Sequence, residues 1–277
     1  MSEVETEELR RILYRIAGEA SGFLRDMACT GEATRRVKGE TFRADLASEE
    51  YIVDALRSEG LKVKIVSEES GVIDTGNDYI VLVDPLDGSR NYVNCIPWSS
   101  VSIAILPGDA KSLAETLAGV VAPIFYGDPL SFSTSSCYKG SVRIPPPESS
   151  ERFLYVYVEH PEAAVRLAEI IDILGRGFKV RSLGSAALEV AYVAIGRGTA
   201  FIDLRPKLRN IDIAAAAGLA SRCGATLAGP GGTLDSIGVS GVERIGPIAV
   251  FSKNVSESLV DDIVRGPLSS AGHSSLL

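Results

Sequence analysis

"VDPLDGSRN", residues 83–91, sets two carboxylates three positions apart, Asp84 and Asp87, around Pro85 and Gly88. The stretch follows the apolar run "YIVLV" at 79–83. Proline and glycine are turn formers, so it reads as a turn at the mouth of a buried strand. Two like charges that close repel unless water screens them or a cation stands between them. A solvated turn is the plain reading, and the rest of the chain weighs against it.

Outward from this stretch, helices and strands can be read by period. Leu9, Ile12, Leu13, Ile16, Ala20, Phe23 and Leu24 recur at helical spacing, which predicts an amphipathic N-terminal helix. "SEEYIVDALRSEG" (48–60) reads as a second helix closed by Gly60, and "LKVKIVSEES" (61–70) as a strand ending in acids. "WSSVSIAIL" (98–106) and "LAGVVAPIF" (117–125) read as further strands. Beyond "RIPPPESS" (143–150) the pattern changes. There a strand in "RFLYVYVE" (152–159) precedes a helix in "PEAAVRLAEIIDILG" (161–175). "KVRSLGSAALEVAYVAIGRG" (179–198) runs from strand or turn into helix, "TAFIDLR" (199–205) is a strand, and "IDIAAAAGLASRCG" (211–224) a helix. The prolines mark a hinge between an N-terminal α+β half, residues 1–143, and a C-terminal α/β half, residues 151–265. Residues 266–277 are small and polar and are expected to fray. The fold class is α/β (α+β).

Bulk composition narrows the partners. Among 277 residues, 28 Lys and Arg face 36 Asp and Glu, a formal charge of -8 with no basic stripe, which argues against nucleic acid. No apolar run reaches the length of a membrane span, and the N-terminus has no signal-peptide core, so no membrane is expected and the location reads as cytoplasmic. The four cysteines lie far apart without a CxxC pair, which excludes a zinc ribbon and leaves room for one incidental bridge. Only His160 and His273 are present, so a metal here must be held by oxygen.

Acids stand at the ends of several expected elements: Asp45 before the second helix, Glu68 and Glu69 at a strand end, Asp84 and Asp87 in the turn, and Asp212 heading the alanine-rich helix. Singly, each has a structural explanation as a helix cap, a solvated strand end or a turn residue. Together they point to an edge of a sheet where carboxylates converge on cations. Hard oxygen ligands without His or Cys suit Mg²⁺, which favours sites shared with a substrate phosphate. Gly88 and Ser89 directly after Asp87 offer backbone N–H groups to such a phosphate.

"EES" at 68–70, "DPLDGSRN" at 84–91 and "IDIAAAAG" at 211–218 resemble, in order and spacing, the three signature motifs of the inositol monophosphatase and fructose-1,6-bisphosphatase superfamily. "FIDLRPKLRNIDIAA" (201–215) is most similar to archaeal members that act on both substrates. The resemblance implies a layered αβαβα sandwich and hydrolysis of inositol 1-phosphate or fructose 1,6-bisphosphate by metal-activated water attack. It implies two or three Mg²⁺ ions, with Mn²⁺ as a substitute, held by Glu68, Asp84, Asp87, Asp212 and the backbone carbonyl of Leu86. Asp45 and Ser89 would orient the water, with Glu69 as a supporting carboxylate or base. The family usually shows an Asp-x-Val-Thr run before the acid matched to Asp45, and this chain reads "GETFRAD" (39–45) instead. Asp87, Gly88, Ser89 and the loop Gly184, Ser185 and Ala186 would meet the substrate, and relatives of this kind are commonly homodimers. Arg181, Asp203, Arg205, Lys207 and Arg209 are candidates for a sugar hydroxyl or second phosphate, Arg205 first because "DLR" (203–205) leaves a strand whose end should face the site. The competing readings are a phosphatase of 3′-phosphoadenosine 5′-phosphate or NADP with the same fold, and a phosphosugar-binding module without catalysis.

Overall fold

The structure is a computed structural model that describes residues 1–39, 41–74, 76–229 and 233–269. In chain order the N-terminal half holds α1 (Glu3–Met27), β1 (Arg36–Lys38), β2 (Thr41–Phe42), α2 (Arg43–Ser58), β3 (Val63–Ser67), β4 (Gly71–Asp74), β5 (Tyr79–Asp87), α3 (Ser89–Val93), β6 (Ser100–Pro107), β7 (Ala118–Pro123), β8 (Leu130–Phe132), β9 (Cys137–Lys139) and β10 (Val142–Ile144). The rest holds β11 (Phe153–Tyr157), α4 (Pro161–Leu174), β12 (Lys179–Arg181), α5 (Ala186–Ala194), β13 (Ala200–Asp203), α6 (Asn210–Arg222), β14 (Thr226–Ala228), β15 (Ile248–Phe251) and α7 (Glu257–Ile263).

Period-two alternation in the strands builds the layers. Val81 and Val83 of β5 point to one face and Ile80 and Leu82 to the other, and each face has its own core. The eight-stranded sheet, ordered β10-β9-β8-β7-β6-β5-β3-β4, packs α1 and α2 on the first face through Leu13, Ile16, Ile52 and Leu56. Its second face meets α5 and α6, which in turn cover the five-stranded sheet β12-β11-β13-β15-β14. The outer face of that sheet buries Ile170 of α4 and Val260 and Ile263 of α7. The result is the expected αβαβα sandwich, and the polyproline stretch separates the last strand of one sheet from the first of the other.

The sandwiched helix explains its own composition. Both sides of α6 are covered, so Ala214 to Ala217 are buried all round rather than along a stripe. A Cβ on Gly218 would lie 2.3 Å from the ring of Phe132, so this crossing takes nothing larger than hydrogen. At the N-terminus α1 is held by a capping box in which Glu5 accepts from the Ser2 N–H at 2.7 Å.

Several boundaries differ from the sequence reading. β5 continues through Asp84 to Asp87 with a register irregularity against β6, so "DPLD" is a bulged strand end and the bend falls at Gly88. Asp45 does not precede α2, and Asp212 does not stand ahead of α6. Each is the third helical residue and reaches back to the N–H before the helix, Phe42 and Arg209 respectively, at 2.8 Å. The short strands β4, β8, β9, β10, β14 and β15 carried too few residues to show a period. Cys29 and Cys95 form a disulfide between the segments that follow α1 and α3. In the tail expected to fray, Pro267 and Leu268 are buried against the outer core, and residues 270–277, with His273, lie outside the described residues.

Candidate active site

Two strands of the eight-stranded sheet and α6 deliver the acids. β3 ends at Ser67 and hands Glu68 to the edge, β5 supplies Asp84 and Asp87, and α6 supplies Asp212 from the other half of the chain. Glu68, Asp84 and Asp212 each offer a carboxylate oxygen, and these oxygens lie within 4.8 Å of one another. Asp84 and Asp212 are buried and Glu68 is half-buried. Leu86 is buried beside them, and its N–H donates to Asp84 Oδ1 at 3.1 Å.

Such a cluster is electrostatically costly without a cation. Burial, then the charges of Glu68, Asp87 and Asp212, push the Asp84 carboxyl well above the usual carboxylate range. Burial likewise raises Glu68, against the pull of Arg209. Burial brings Asp87 up to about 7 although Ser185 and the N–H groups of Ala187 and Ala186 stabilise its charge. The donor set is all oxygen, and among the described residues the cation that touches it is a guanidinium: Arg209 Nη2 lies 2.7 Å from Glu68 and 2.8 Å from Asp212. Three carboxylates already gathered about a positive group fit a hard divalent ion.

Asp87 is where the halves join. Ser185 Oγ donates to its Oδ2, and the N–H groups of Ala186 and Ala187 reach its carboxylate at 3.2 and 3.0 Å. The loop 184–186 therefore grips Asp87 directly. Asn91 Nδ2 ties the same loop through the carbonyl of Leu183 at 2.6 Å and also binds that of Trp98 at 2.8 Å. Gly88 has φ 82, and a Cβ there would lie 2.9 Å from the Gly184 carbonyl oxygen, so only glycine fits the contact. Ser89 opens the short helix α3 and is half-buried.

The other acids hold local positions. Asp45 is buried at the start of α2 and spends Oδ2 on the Phe42 N–H. Burial lifts it to about 7, with the charges of Glu69 and Glu68 adding to the rise. Glu69 accepts from Thr41 Oγ1 at 2.5 Å, which links it to the β1–β2 hairpin. Of the residues named for the sugar side, Arg209 enters this cluster, whereas no bond among the described residues ties Arg181, Asp203 or Arg205 to it. Arg205 pairs with buried Asp203 at 2.8 Å and stacks on the Tyr157 ring at 4.2 Å. Arg181 is exposed on β12 and lies over Phe153 at 5.1 Å.

Sequence reasoning passed over the residues that hold the ligands in place. Glu49 of α2 is buried and accepts from Ser67 Oγ, Ser70 Oγ and the N–H groups of Glu69 (3.3 Å) and Ser70 (3.2 Å), so one carboxylate shapes the turn that carries Glu68. Its signal was present: Glu49 falls on the buried stripe Ala44, Ser48, Ile52, Val53 and Leu56, where a charge needs a reason. Glu189 is buried on α5, accepts from the Leu183 N–H at 2.6 Å, and is raised by burial to about 8. It too braces the 183–186 loop.

The model of the inositol monophosphatase family matches residues 5–259. The chain is 46% identical over 269 residues to an inositol-1-monophosphatase of Aeropyrum pernix, covering 95% of this chain and 98% of that one. It is 30% identical to a fructose-1,6-bisphosphatase/inositol-1-monophosphatase of Methanothermobacter thermautotrophicus, with 83% and 84% covered. Among solved structures, a Pyrococcus horikoshii protein with similarities to inositol-1 monophosphatase superposes with a TM-score of 0.69 at 29% identity, over 84% of this chain and 88% of that one. The chain belongs to the inositol monophosphatase family.

Proposed function

We propose that the protein is a Mg²⁺-dependent phosphatase that hydrolyses the phosphate monoester of inositol 1-phosphate and that of fructose 1,6-bisphosphate. The hydrolase class follows from the family and from relatives named for these two activities. The observation that carries the metal dependence is the gathering of Glu68, Asp84 and Asp212 within 4.8 Å despite their mutual repulsion.

Glu68, Asp84, Asp212, Asp87 and the Leu86 carbonyl are the groups that would hold two or three ions. When bound, Mg²⁺ supplies a lowered pKa for a bound water and charge neutralisation at the phosphoryl and leaving oxygens. The chain's own contribution is positioning. Bent at φ 82, Gly88 turns the backbone from β5 into α3, where its N–H and that of Ser89 are the proposed phosphate donors. Asp87, fixed by Ser185 and the start of α5, presents an aligned carboxylate to a substrate hydroxyl. Ser89 and Glu69 are the proposed partners of the attacking water. Asp45 is the less free of the acids, because one of its oxygens already serves the helix. Among the described residues no side chain is placed as a nucleophile, so a single displacement by water is expected, driven by orientation and electrostatics.

A bisphosphate needs a cation away from the acids. Arg181 is the freer candidate, since Arg205 is committed to Asp203 and Glu159. A homodimer and a cytoplasmic location belong to the same proposal. Among the described residues no helix is long and apolar enough to cross a membrane. Phosphate release from inositol 1-phosphate, fructose 1,6-bisphosphate and 3′-phosphoadenosine 5′-phosphate, each with Mg²⁺ and with EDTA, tests the reading. Turnover of the first two that EDTA abolishes supports it, and turnover of the nucleotide alone, or of nothing, refutes it.

A further inference from the structure

We propose that Arg209 is a resident counter-cation of the acidic cluster, and that a divalent ion entering between Glu68 and Asp212 does so by displacing its guanidinium. The inference rests on the metal-dependent reading above.

A single nitrogen makes the bridge. Arg209 Nη2 lies 2.7 Å from Glu68 Oε1 and 2.8 Å from Asp212 Oδ1, and Nε adds a contact of 3.0 Å to Asp212 Oδ1. These carboxylates are two of the three whose oxygens converge within 4.8 Å. A hard divalent ion and a planar guanidinium draw on the same oxygen lone pairs, so both cannot hold them in full.

The chain fixes the root of this side chain and leaves its end free to move. Arg209 directly precedes α6, its N–H donates to Asp212 Oδ2 at 2.8 Å, and its backbone bridges to Arg244. The side chain is still 30% exposed, which leaves solvent for the guanidinium to swing into. Asp212 thus keeps its backbone anchor through one oxygen while the other changes partner. Burial disfavours the Arg209 charge, but Asp212, Glu68 and Asp84 together hold its pKa above the ordinary arginine value, so the guanidinium stays charged.

Two properties follow. Without metal, Arg209 offsets repulsion that would otherwise loosen the edge where α6 meets β3 and β5. With metal, the affinity measured is the ion's attraction less the cost of breaking the Arg209 pairs, so this arginine weakens binding while keeping the empty site folded.

Calorimetric titration of the full chain with Mg²⁺ and with Mn²⁺, for wild type, Arg209→Gln and Arg209→Lys, tests this alongside thermal unfolding in EDTA. Arg209→Gln is expected to bind the ion roughly tenfold more tightly, within the coupling range of close charge pairs. Its metal-free form should melt below wild type and gain more from saturating metal. Lysine keeps the charge without the fork, so Arg209→Lys should fall between the two. If Arg209→Gln folds only once metal is added, that supports the proposal, and Arg209→Lys must still bind more tightly than wild type. Unchanged or weaker metal binding in Arg209→Gln overturns it while leaving the phosphatase reading intact. Failure of wild type and variants alike to bind either ion overturns both.

Discussion

Two acidic clusters in this molecule differ in how their charge is closed. At the outer end of β13, Asp203 and Glu159 meet two cations: Arg205 lies 2.8 Å from Asp203 and 3.3 Å from Glu159, and Lys207 lies 2.5 Å from Glu159. Glu159 is held below the usual range, first by its hydrogen bond to Lys207. At the edge shared by β3, β5 and α6, Glu68, Asp84 and Asp212 converge, and among the described residues the cation paired with them is the guanidinium of Arg209, bonded to Glu68 and Asp212. The first cluster is neutral and complete. The second carries surplus negative charge, and burial amplifies it. What marks a cation site is the unpaid balance of charge, since acids as such occur in both places.

That contrast can be broken by mutation. The largest effect is expected from Asp84→Asn, which removes a charge from the surplus cluster without changing shape. Turnover should fall by about three orders of magnitude or more. Its melting temperature in EDTA should be no lower than wild type, because a buried repulsion has gone. A variant with near-normal turnover would remove the metal reading.

Arg205→Gln asks the opposite question of the closed cluster. Buried Asp203 would lose its partner, and urea unfolding should show a loss of about 3 kcal/mol. Divalent-ion affinity, read by titration, should not change. A shift in that affinity would mean that the two clusters communicate.

Adding Mg²⁺ should stabilise the surplus cluster alone. At roughly 100 times its dissociation constant the gain is about 2.7 kcal/mol. Differential scanning with Mg²⁺ against EDTA reads this as a rise in Tm for wild type, and its absence for Asp84→Asn.

The smallest effect is the dependence on pH. Burial raises Asp45 and Asp87 to about 7, whereas carboxyls in an unfolded chain titrate near ~4. The native metal-free protein therefore binds more protons than the unfolded one across that window. Its stability is fullest below about pH 4 with respect to these groups and is lost as pH rises toward 7. Urea midpoints in EDTA should fall across this interval, and saturating Mg²⁺ should flatten the trend. A midpoint that rises from pH 5 to 7 in EDTA would contradict it.

Much of this was legible in the chain. The strand 79–83 follows from its apolar run and the long N-terminal helix from its period, whereas the layered sandwich was implied by the family resemblance. The acids at 68, 84, 87 and 212 stood out because they end elements rather than line them. Other features were not legible. Glu49 could be seen as a misplaced charge, yet only its distances to Ser67 and Ser70 show what it holds. Arg209 was noticed as a cation for the substrate side, and its pairing with Glu68 spans a separation in sequence that no local pattern encodes. Asp45 and Asp212 differ in surroundings although both cap a helix in the same way: Asp212 converges with Glu68 and Asp84, whereas Asp45 is buried apart and only feels the charges of Glu69 and Glu68.

By itself the sequence determined the longer helices and strands and which side chains could carry oxygen-ligand chemistry. Those properties depend on residue type and spacing within one element. Only the tertiary structure decided which carboxylates converge, that Asp87 is gripped by the start of α5, and that Arg209 rather than Arg205 enters the cluster. Electrostatic energy depends on distance through space and on burial, and neither is set until the two sheets close over α6.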